Sequence, residues 1–167
     1  MLEDMKQRAG FTIVEIVITL TIMAILVTLA AVNMRSSVLQ ANDQERITDI
    51  NNIMTFQDSY YERNNSSYFP VSSVSSTANI ETWYSSTDPA NLRAPSVVAP
   101  NYSLVAATNA IQTTAGVLPK PLKTTYVYQP IDSSGALCAA TPNCRKFNIY
   151  YLSDVDGTVQ KMSSKNQ

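Results

Sequence analysis

The feature that most constrains this chain is an apolar run near its N-terminus that contains a single acidic residue. From Phe11 to Val32 the residues are almost all Ile, Val, Leu, Met and Ala, interrupted only by threonines and by Glu15. As a helix rising about 1.5 Å per residue, the run would be about 33 Å long, close to the roughly 30 Å of bilayer hydrocarbon. Threonine hydroxyls are tolerated there because each can bond a carbonyl one turn back. The run therefore predicts one membrane-spanning helix.

The flanking residues predict the orientation of this helix. Lys6 and Arg8 precede the run, and basic residues favour keeping that end in the cytoplasm. Everything after Asn33 is then expected outside. Two other interpretations remain open, a simple uncleaved anchor and a secretory signal peptide cleaved near Thr28 and Ala30. The run is longer than the usual signal-peptide core of about 7 to 15 residues, which favours an anchor.

Glu15 requires a partner if it is to lie in a membrane. A carboxylate inside the bilayer costs roughly 2.5–3.5 kcal/mol on insertion scales, and a single span has no second helix to pair with. Cleavage between Gly10 and Phe11 would create a free amine at the head of the helix. In a stack of such helices, Glu15 of one subunit would neutralise the Phe11 amine of its neighbour and fix the axial register. The alternative is that Glu15 extends to the nearby interface.

The segment Gly10–Ile16, read as GFTIVEI, resembles the type III signal of type IV prepilins and of the pseudopilins of type II secretion and competence systems. The resemblance implies that residues 1–10 are a leader, and that a prepilin peptidase cuts after Gly10 and methylates the Phe11 amine. It implies Glu15 as the assembly glutamate of a homopolymer. It further implies a membrane assembly platform, a cytoplasmic assembly ATPase, and a passage from the cytoplasmic membrane to an extracellular filament.

The polar stretch after the apolar run continues the helical pattern. Many members of that family have a proline or glycine in the second half of the apolar run, whereas this chain has neither between Phe11 and Phe69. We therefore expect one helix from about Thr12 to Arg63, with residues 11–32 in lipid and residues 33–63 amphipathic. The apolar stripe of the second part should pack on a sheet. Its charged residues are expected on solvated or subunit-facing sides: Asp43, Glu45, Arg46, Asp49, Asp58, Glu62 and Arg63.

Residues 64–167 are predicted to form an extracytoplasmic head. The Asn/Ser-rich residues 64–67 end the helix, and residues 68–101 read as a loop region with a short helix near residues 88–93 and Trp83 as a packing anchor. Short β-branched and aromatic runs predict strands, and an Asp-Gly pair predicts a hairpin turn between the last two. The predicted fold is α+β and pilin-like, a long helix on a small antiparallel sheet. The strands are expected at residues 102–106, 124–129, 146–152 and 158–162, with the turn at residues 154–157.

Two groups of side chains in the head, a pair of cysteines and three aspartates, could form a disulfide and a metal site. Cys138 and Cys144 are separated by five residues that include a proline, so they can close a small loop in an oxidising compartment, or remain as two free thiols. Type IV pilins often stabilise a C-terminal loop in this way. Asp154 and Asp156, together with Asp132, have the oxygen ligands that calcium takes, but aspartates in turns more often bond the local backbone. We predict the disulfide and no metal site.

Composition argues against catalysis and nucleic-acid binding. The chain has no histidine, which excludes Ser-His-Asp chemistry and His-ligated metals, and four scattered glycines, which leave no phosphate-binding loop. Its net charge is −1, and its lysines and arginines form no basic stripe. The leading prediction is a structural subunit, a pilin without enzymatic activity or cofactor. The alternatives are a pseudopilin of a secretion or DNA-uptake system and a membrane-anchored ligand-binding module.

Overall fold

The computed structural model describes residues 10–166, and for Val32 and Asn33 the backbone alone. The chain forms two compact units, Met1–Val38 and Leu39–Gln167. The first contains the apolar part of the long helix, and the second contains the rest of that helix and all of the sheet.

Helix α1 spans Ile13–Arg63, 51 residues in one element, as the absence of glycine and proline predicted. It ends at the predicted Asn/Ser stretch. Asn65 and Ser66 adopt φ angles of 52° and 56°, and the Ser66 amide donates to the Tyr61 carbonyl at 3.2 Å. The left-handed conformation that asparagine tolerates thus turns the chain away from the helix axis.

The sheet has four strands in the order β1-β2-β3-β4. β2 pairs antiparallel with β3, and β3 with β4 through the predicted turn at Asp154. β1, however, runs parallel to β2, with Leu104 opposite Tyr126, so the prediction of a purely antiparallel sheet is wrong for this strand. The long connection of residues 107–125 permits the return that a parallel pair needs. The strands are β1 Leu104–Ala106, β2 Tyr126–Asp132, β3 Cys144–Leu152 and β4 Val159–Ser163.

Residues 68–101 are more regular than the predicted loop. They contain a 3₁₀ turn at Val71–Val74, helix α2 at Thr77–Trp83, and a second 3₁₀ turn at Pro89–Leu92 where a short helix was expected. Ser76 caps α2, because its hydroxyl accepts a hydrogen bond from the Asn79 amide at 3.2 Å. Trp83 packs edge-on against Phe69, with ring centroids 4.9 Å apart, which confirms its prediction as a packing anchor.

The core of the second unit lies between α1 and the sheet. Ile50 and Ile53 of α1 are fully buried together with aromatic and aliphatic side chains of β2 and β3. Three polar side chains within this core are paired with one another: the Tyr128 hydroxyl donates to Gln57 Oε1 at 2.8 Å, and Gln57 Nε2 donates to the Tyr84 hydroxyl at 2.8 Å. The predicted packing of the apolar stripe on a sheet is therefore confirmed, and a chain of hydrogen bonds from Tyr128 through Gln57 to Tyr84 crosses it.

Candidate processing and assembly site

The predicted cleavage point lies immediately before α1. Gly10 and Phe11 are exposed, and Phe11 retains 79% of its accessible surface. Thr12 then begins the helix: its carbonyl accepts from the Ile16 amide at 3.2 Å, and its hydroxyl accepts from the Glu15 amide at 3.2 Å. Thr12 is thus the N-cap, and the Gly10–Phe11 bond lies outside any helix or strand, just ahead of a capped helix end.

Glu15 lies three residues after this cap, in the first turn of α1. Threonine followed by glutamate at this spacing is the sequence of a capping box. A carboxylate here also faces the positive end of the helix dipole, which is favourable. Within residues 10–166 its carboxylate forms no ion pair. The sequence analysis did not consider this capping role. An acidic residue at position 15 is therefore favoured by the start of the helix as well as by the predicted pairing between subunits.

The apolar part of α1 is exposed on every side in the single chain. Large side chains from Ile13 to Leu29 retain about half or more of their surface, from 46% at Ile16 to 83% at Ile13. The hydroxyls of Thr19, Thr21 and Thr28 each donate to a carbonyl one turn back, as predicted. By length and composition the helix can cross a membrane, since its most apolar 18-residue window has a mean hydropathy of 2.6. A signal sequence would meet the same criterion of length and hydropathy.

The second unit contains a buried charge cluster that the sequence analysis missed, formed by Asp43, Arg46, Lys123 and Asp154. The Arg46 side chain is 2% exposed, and its Nη1 lies 2.9 Å from Asp154 Oδ2 and 3.1 Å from Asp43 Oδ1. Lys123 Nζ, which is largely exposed, reaches the other Asp154 oxygen at 2.9 Å. Asp43, Arg46 and Asp49 are only 9%, 2% and 7% exposed, so the prediction that they lie on solvated or subunit-facing sides is wrong for these three residues.

The cluster joins α1 to the turn between β3 and β4. Asp43 accepts hydrogen bonds from the Ser153 hydroxyl at 2.6 Å and from the Asp154 and Val155 amides. Burial opposes its ionisation, but these donors outweigh burial and lower the pKa of Asp43. Burial likewise opposes ionisation of Asp154, yet Lys123, Arg46 and Asn42 lower its pKa to about 2. Both carboxylates are therefore held ionised at neutral pH.

Asp49 is buried one turn further along α1 in a different environment. Its Oδ2 accepts from the Tyr126 hydroxyl at 3.2 Å, and the residue is 7% exposed. Burial raises the pKa of Asp49 to about 7, partly offset by the Tyr126 hydrogen bond and increased by the charge of Glu45. This carboxyl therefore changes charge near neutral pH.

Cys138 and Cys144 form the predicted disulfide, with their Cα atoms 5.3 Å apart. Backbone bonds on both sides attach this loop to the segment after α1. The Val71 amide donates to the Cys138 carbonyl at 2.9 Å, and the Tyr68 amide donates to the Cys144 carbonyl at 2.8 Å. The disulfide thus supports the segment that covers the aromatic core.

The three aspartates considered for calcium are engaged with the protein's own donors. Asp154 belongs to the charge cluster, Asp156 Oδ1 accepts from the Thr158 amide at 3.2 Å, and Asp132 Oδ1 accepts from the Ser134 and Ala136 amides. Asp132 and Asp156 act as turn formers, and the hydrogen bonds that their carboxylates accept lower the pKa of both residues. Among residues 10–166 no group of three His, Cys, Asp or Glu side chains is arranged to hold a metal.

Comparison with known proteins identifies the N-terminal segment. Residues 5–31 match the family model of the prokaryotic N-terminal methylation motif. This is the type IV prepilin-like signal motif, and the match includes the Gly10–Phe11 bond, Glu15 and most of the apolar run. The chain thus carries the N-terminal signal of a pilin-type or pseudopilin-type precursor, on an α+β fold. Searches of curated proteins and of solved structures gave no match.

Proposed function

We propose that this chain is a prepilin, cut between Gly10 and Phe11 by a prepilin peptidase and assembled through its N-terminal helix into a type IV pilus or a related surface filament. The observation that carries this proposal is the methylation motif at residues 5–31, located where an exposed, capped helix begins. A structural role follows from such a signal, and the activity is assembly, not catalysis.

The presence of glycine at position 10 is better explained by peptidase processing than by the fold. A Cβ placed on Gly10 would meet no atom of residues 10–166 within 4 Å, and the φ angle of Gly10 is not in the left-handed region. The fold therefore does not require glycine there, because neither space nor backbone conformation excludes a side chain. A peptidase that accepts only a small residue before the cut bond would require it. Phe11 would then supply the new N-terminal amine that is methylated.

Assembly would bury the surface that the single chain exposes. The apolar residues of α1 have lipid as their partner before assembly and the same helix of neighbouring subunits afterwards. Glu15 would pair with the Phe11 amine of a neighbour, since either charge left alone in such an interior is costly. The membrane assembly platform and a cytoplasmic assembly ATPase are the partners implied, with the N-terminus inside and the second unit outside. The disulfide fits that oxidising side.

The same processing and pairing would operate in a pseudopilin of a secretion or DNA-uptake system. The two differ in the machine that extrudes the filament, and the residues at positions 10, 11 and 15 serve both.

The test separates charge pairing from capping at Glu15. Glu15→Gln retains a capping-box residue but removes the charge, whereas Thr21→Ala is a matched control that removes one polar group from the same apolar segment. We expect Glu15→Gln to insert and be processed but to give no filaments in sheared surface material viewed by electron microscopy. Thr21→Ala should assemble normally. Normal filaments from Glu15→Gln would exclude the charge-pairing mechanism.

A further inference from the structure

The charges of the second unit are divided unequally between its helical half and its sheet half. In residues 39–101, which contain the second part of α1 and all of α2, seven acidic and three basic residues give a balance of −4. In residues 102–166, which contain all four strands, six basic and three acidic residues give +3. The helical half is therefore acidic and the sheet half basic, although the whole chain has a net charge of only −1.

Ion pairs within the unit use only part of these charges. Lys123 belongs to the buried charge cluster, and Lys165 Nζ lies 3.4 Å from Asp58 Oδ2. Lys120 and Lys161, in contrast, are exposed and form no ion pair among residues 10–166. The sheet half thus presents two cations that no carboxylate of the same chain neutralises.

The fold brings Lys120 and Lys161 to the same turn. Lys120 Nζ bonds the Ala115 carbonyl, and Lys161 Nζ donates to the Gln112 carbonyl at 3.3 Å. The two ammonium groups therefore flank residues 112–115, and we call this segment with its two lysines the lysine turn. An ammonium has three donors, so each lysine keeps both its charge and further donors for a partner.

The lysine turn is held on the face of the sheet that is turned away from α1. Gln129 Nε2 donates to the carbonyls of Asn109 at 2.8 Å and Ile111 at 3.1 Å. Its neighbour on β2, Tyr128, bonds α1, so Gln129 points to the opposite side. Beside the turn, the side chains of Ile111 and Leu118 are 52% and 48% exposed. Because this surface is already ordered, little conformational freedom is lost when it docks.

One side of α1 presents carboxylates that also have no cation of their own. Glu45 and Glu62 are exposed and form no ion pair among residues 10–166. Glu45 lies two helical turns before Asn52, and Glu62 lies two turns after Thr55. This spacing returns to the same side of a helix, so an exposed polar stripe carries an acid at each end.

The stripe borders an open depression of about 320 Å³ between α1 and residues 86–91. Asp88 contributes an exposed carboxylate to the lining, which contains no lysine or arginine. One cation lies at the end of the stripe, Arg63, whose Nε donates to the Ser59 carbonyl at 2.9 Å. We call the depression together with Glu45, Glu62 and Asp88 the acidic face.

From this division of charge we propose that the lysine turn of one copy of this chain docks on the acidic face of a second copy. The ammonium groups of Lys120 and Lys161 pair there with carboxylates of the second copy, and opposite charges fix which surfaces meet. Because the two surfaces differ, the contact is heterologous and repeats from copy to copy, as a filament requires. The inference rests on the proposed function and deepens it, since it assigns surfaces of the second unit that join neighbouring subunits.

The experiment is carbodiimide crosslinking of the full chain in dodecylphosphocholine micelles, with isotope-labelled and unlabelled chain mixed in equal amounts. The reagent joins an amine to a carboxylate in contact with it, and mixed-label peptides in mass spectrometry identify links between copies. We expect links between copies from the lysine turn to the acidic face. Asp156, an exposed acid of the sheet half, is the matched control, and its links to the lysine turn of another copy should be about tenfold rarer.

The pair formed by Lys165 and Asp58 shows that the reagent has worked, because it should give a link within one copy in every sample. A four-site variant then exchanges the charges, with Lys120→Glu and Lys161→Glu on the turn and Glu45→Lys and Glu62→Lys on α1. It should regain links between copies at these positions, with amine and carboxylate exchanged. If its tryptophan fluorescence shows that it does not fold, the result with the parent chain decides.

Three results would overturn the proposal: no link between copies from the lysine turn to the acidic face, links to Asp156 that are equally frequent, or a folded four-site variant that gives none. The other candidate occupant of the lysine turn is an anionic lipid. Loss of the links when lysophosphatidylglycerol is added to the micelles would assign the turn to lipid, which also contradicts the proposal. The experiment needs neither cleavage nor filaments, so its failure leaves the assembly proposal to its own test at Glu15.

Discussion

Replacing Arg46 by alanine should strongly destabilise the second unit. The guanidinium is 2% exposed and contacts three groups: Asp154 Oδ2 at 2.9 Å, Asp43 Oδ1 at 3.1 Å and the Lys123 carbonyl at 2.9 Å. After Arg46→Ala, the side chain of Asp154, 4% exposed, would retain only the largely exposed Lys123 as a cationic partner. Removing one member of a buried ion pair costs about 3–5 kcal/mol, out of a typical total stability of about 5–15 kcal/mol.

The assay is chemical denaturation of the full chain in micelles, followed by tryptophan fluorescence. The chain has one tryptophan, Trp83, in the aromatic core of the second unit, so the signal reports that unit. Arg63→Ala is the control, because Arg63 lies on the same helix but is exposed, and its Nε bonds only a helix carbonyl. The control should remain within about 0.5 kcal/mol of the parent chain.

The double variant Arg46→Met/Asp154→Leu tests the reason for the effect. If the cost of Arg46→Ala arises from a stranded buried charge, removing both charges should be far less damaging than the sum of the single changes. A loss below about 1 kcal/mol for Arg46→Ala would show that water reaches the cluster and that its contacts act as a surface ion pair. That result would refute the reasoning.

Two further predictions concern the disulfide and Asp49. Replacing both Cys138 and Cys144 by serine should lower the free energy of unfolding by about 2 kcal/mol, the loop-closure value for so short a ring, and a reduced parent chain should match the variant in denaturant titrations. A parent chain whose unfolding midpoint is insensitive to reductant would contradict this. Because burial raises the pKa of Asp49 from its ordinary value of 3.8 to about 7, the folded state holds a proton between these values that the unfolded state has lost, and the stability of the fold should fall as pH rises from about 4 to 7. Asp49→Asn should remove this pH dependence in melting curves, and an unchanged slope would exclude Asp49 as its source.

Local sequence signals predicted most of the elements correctly. The absence of glycine and proline from Phe11 to Phe69 predicted a helix that the structure shows from Ile13 to Arg63. The Asp-Gly pair predicted the turn between β3 and β4, where Gly157 adopts a φ of 67°. These features depend on residues close together in the chain, and local conformational preference decides them.

Pairings between distant residues were not predictable in the same way. Asp43 and Arg46 look like surface charges on an amphipathic helix, and only Asp154, 108 residues from Arg46, makes their burial favourable. The parallel pairing of β1 with β2 likewise depends on the path of residues 107–125, which no local pattern specifies. The roles of Gly10, Phe11 and Glu15 stay predictions.

The measurement that most directly tests the central claim is the intact mass of the chain recovered from membranes, with its N-terminal residue sequenced. We predict a chain that begins at Phe11 and carries a methyl group on its amine. A mature chain that begins at Met1, or near Ala31 after signal-peptide cleavage, would contradict processing at Gly10 and with it the assembly mechanism built on the Phe11 amine and Glu15.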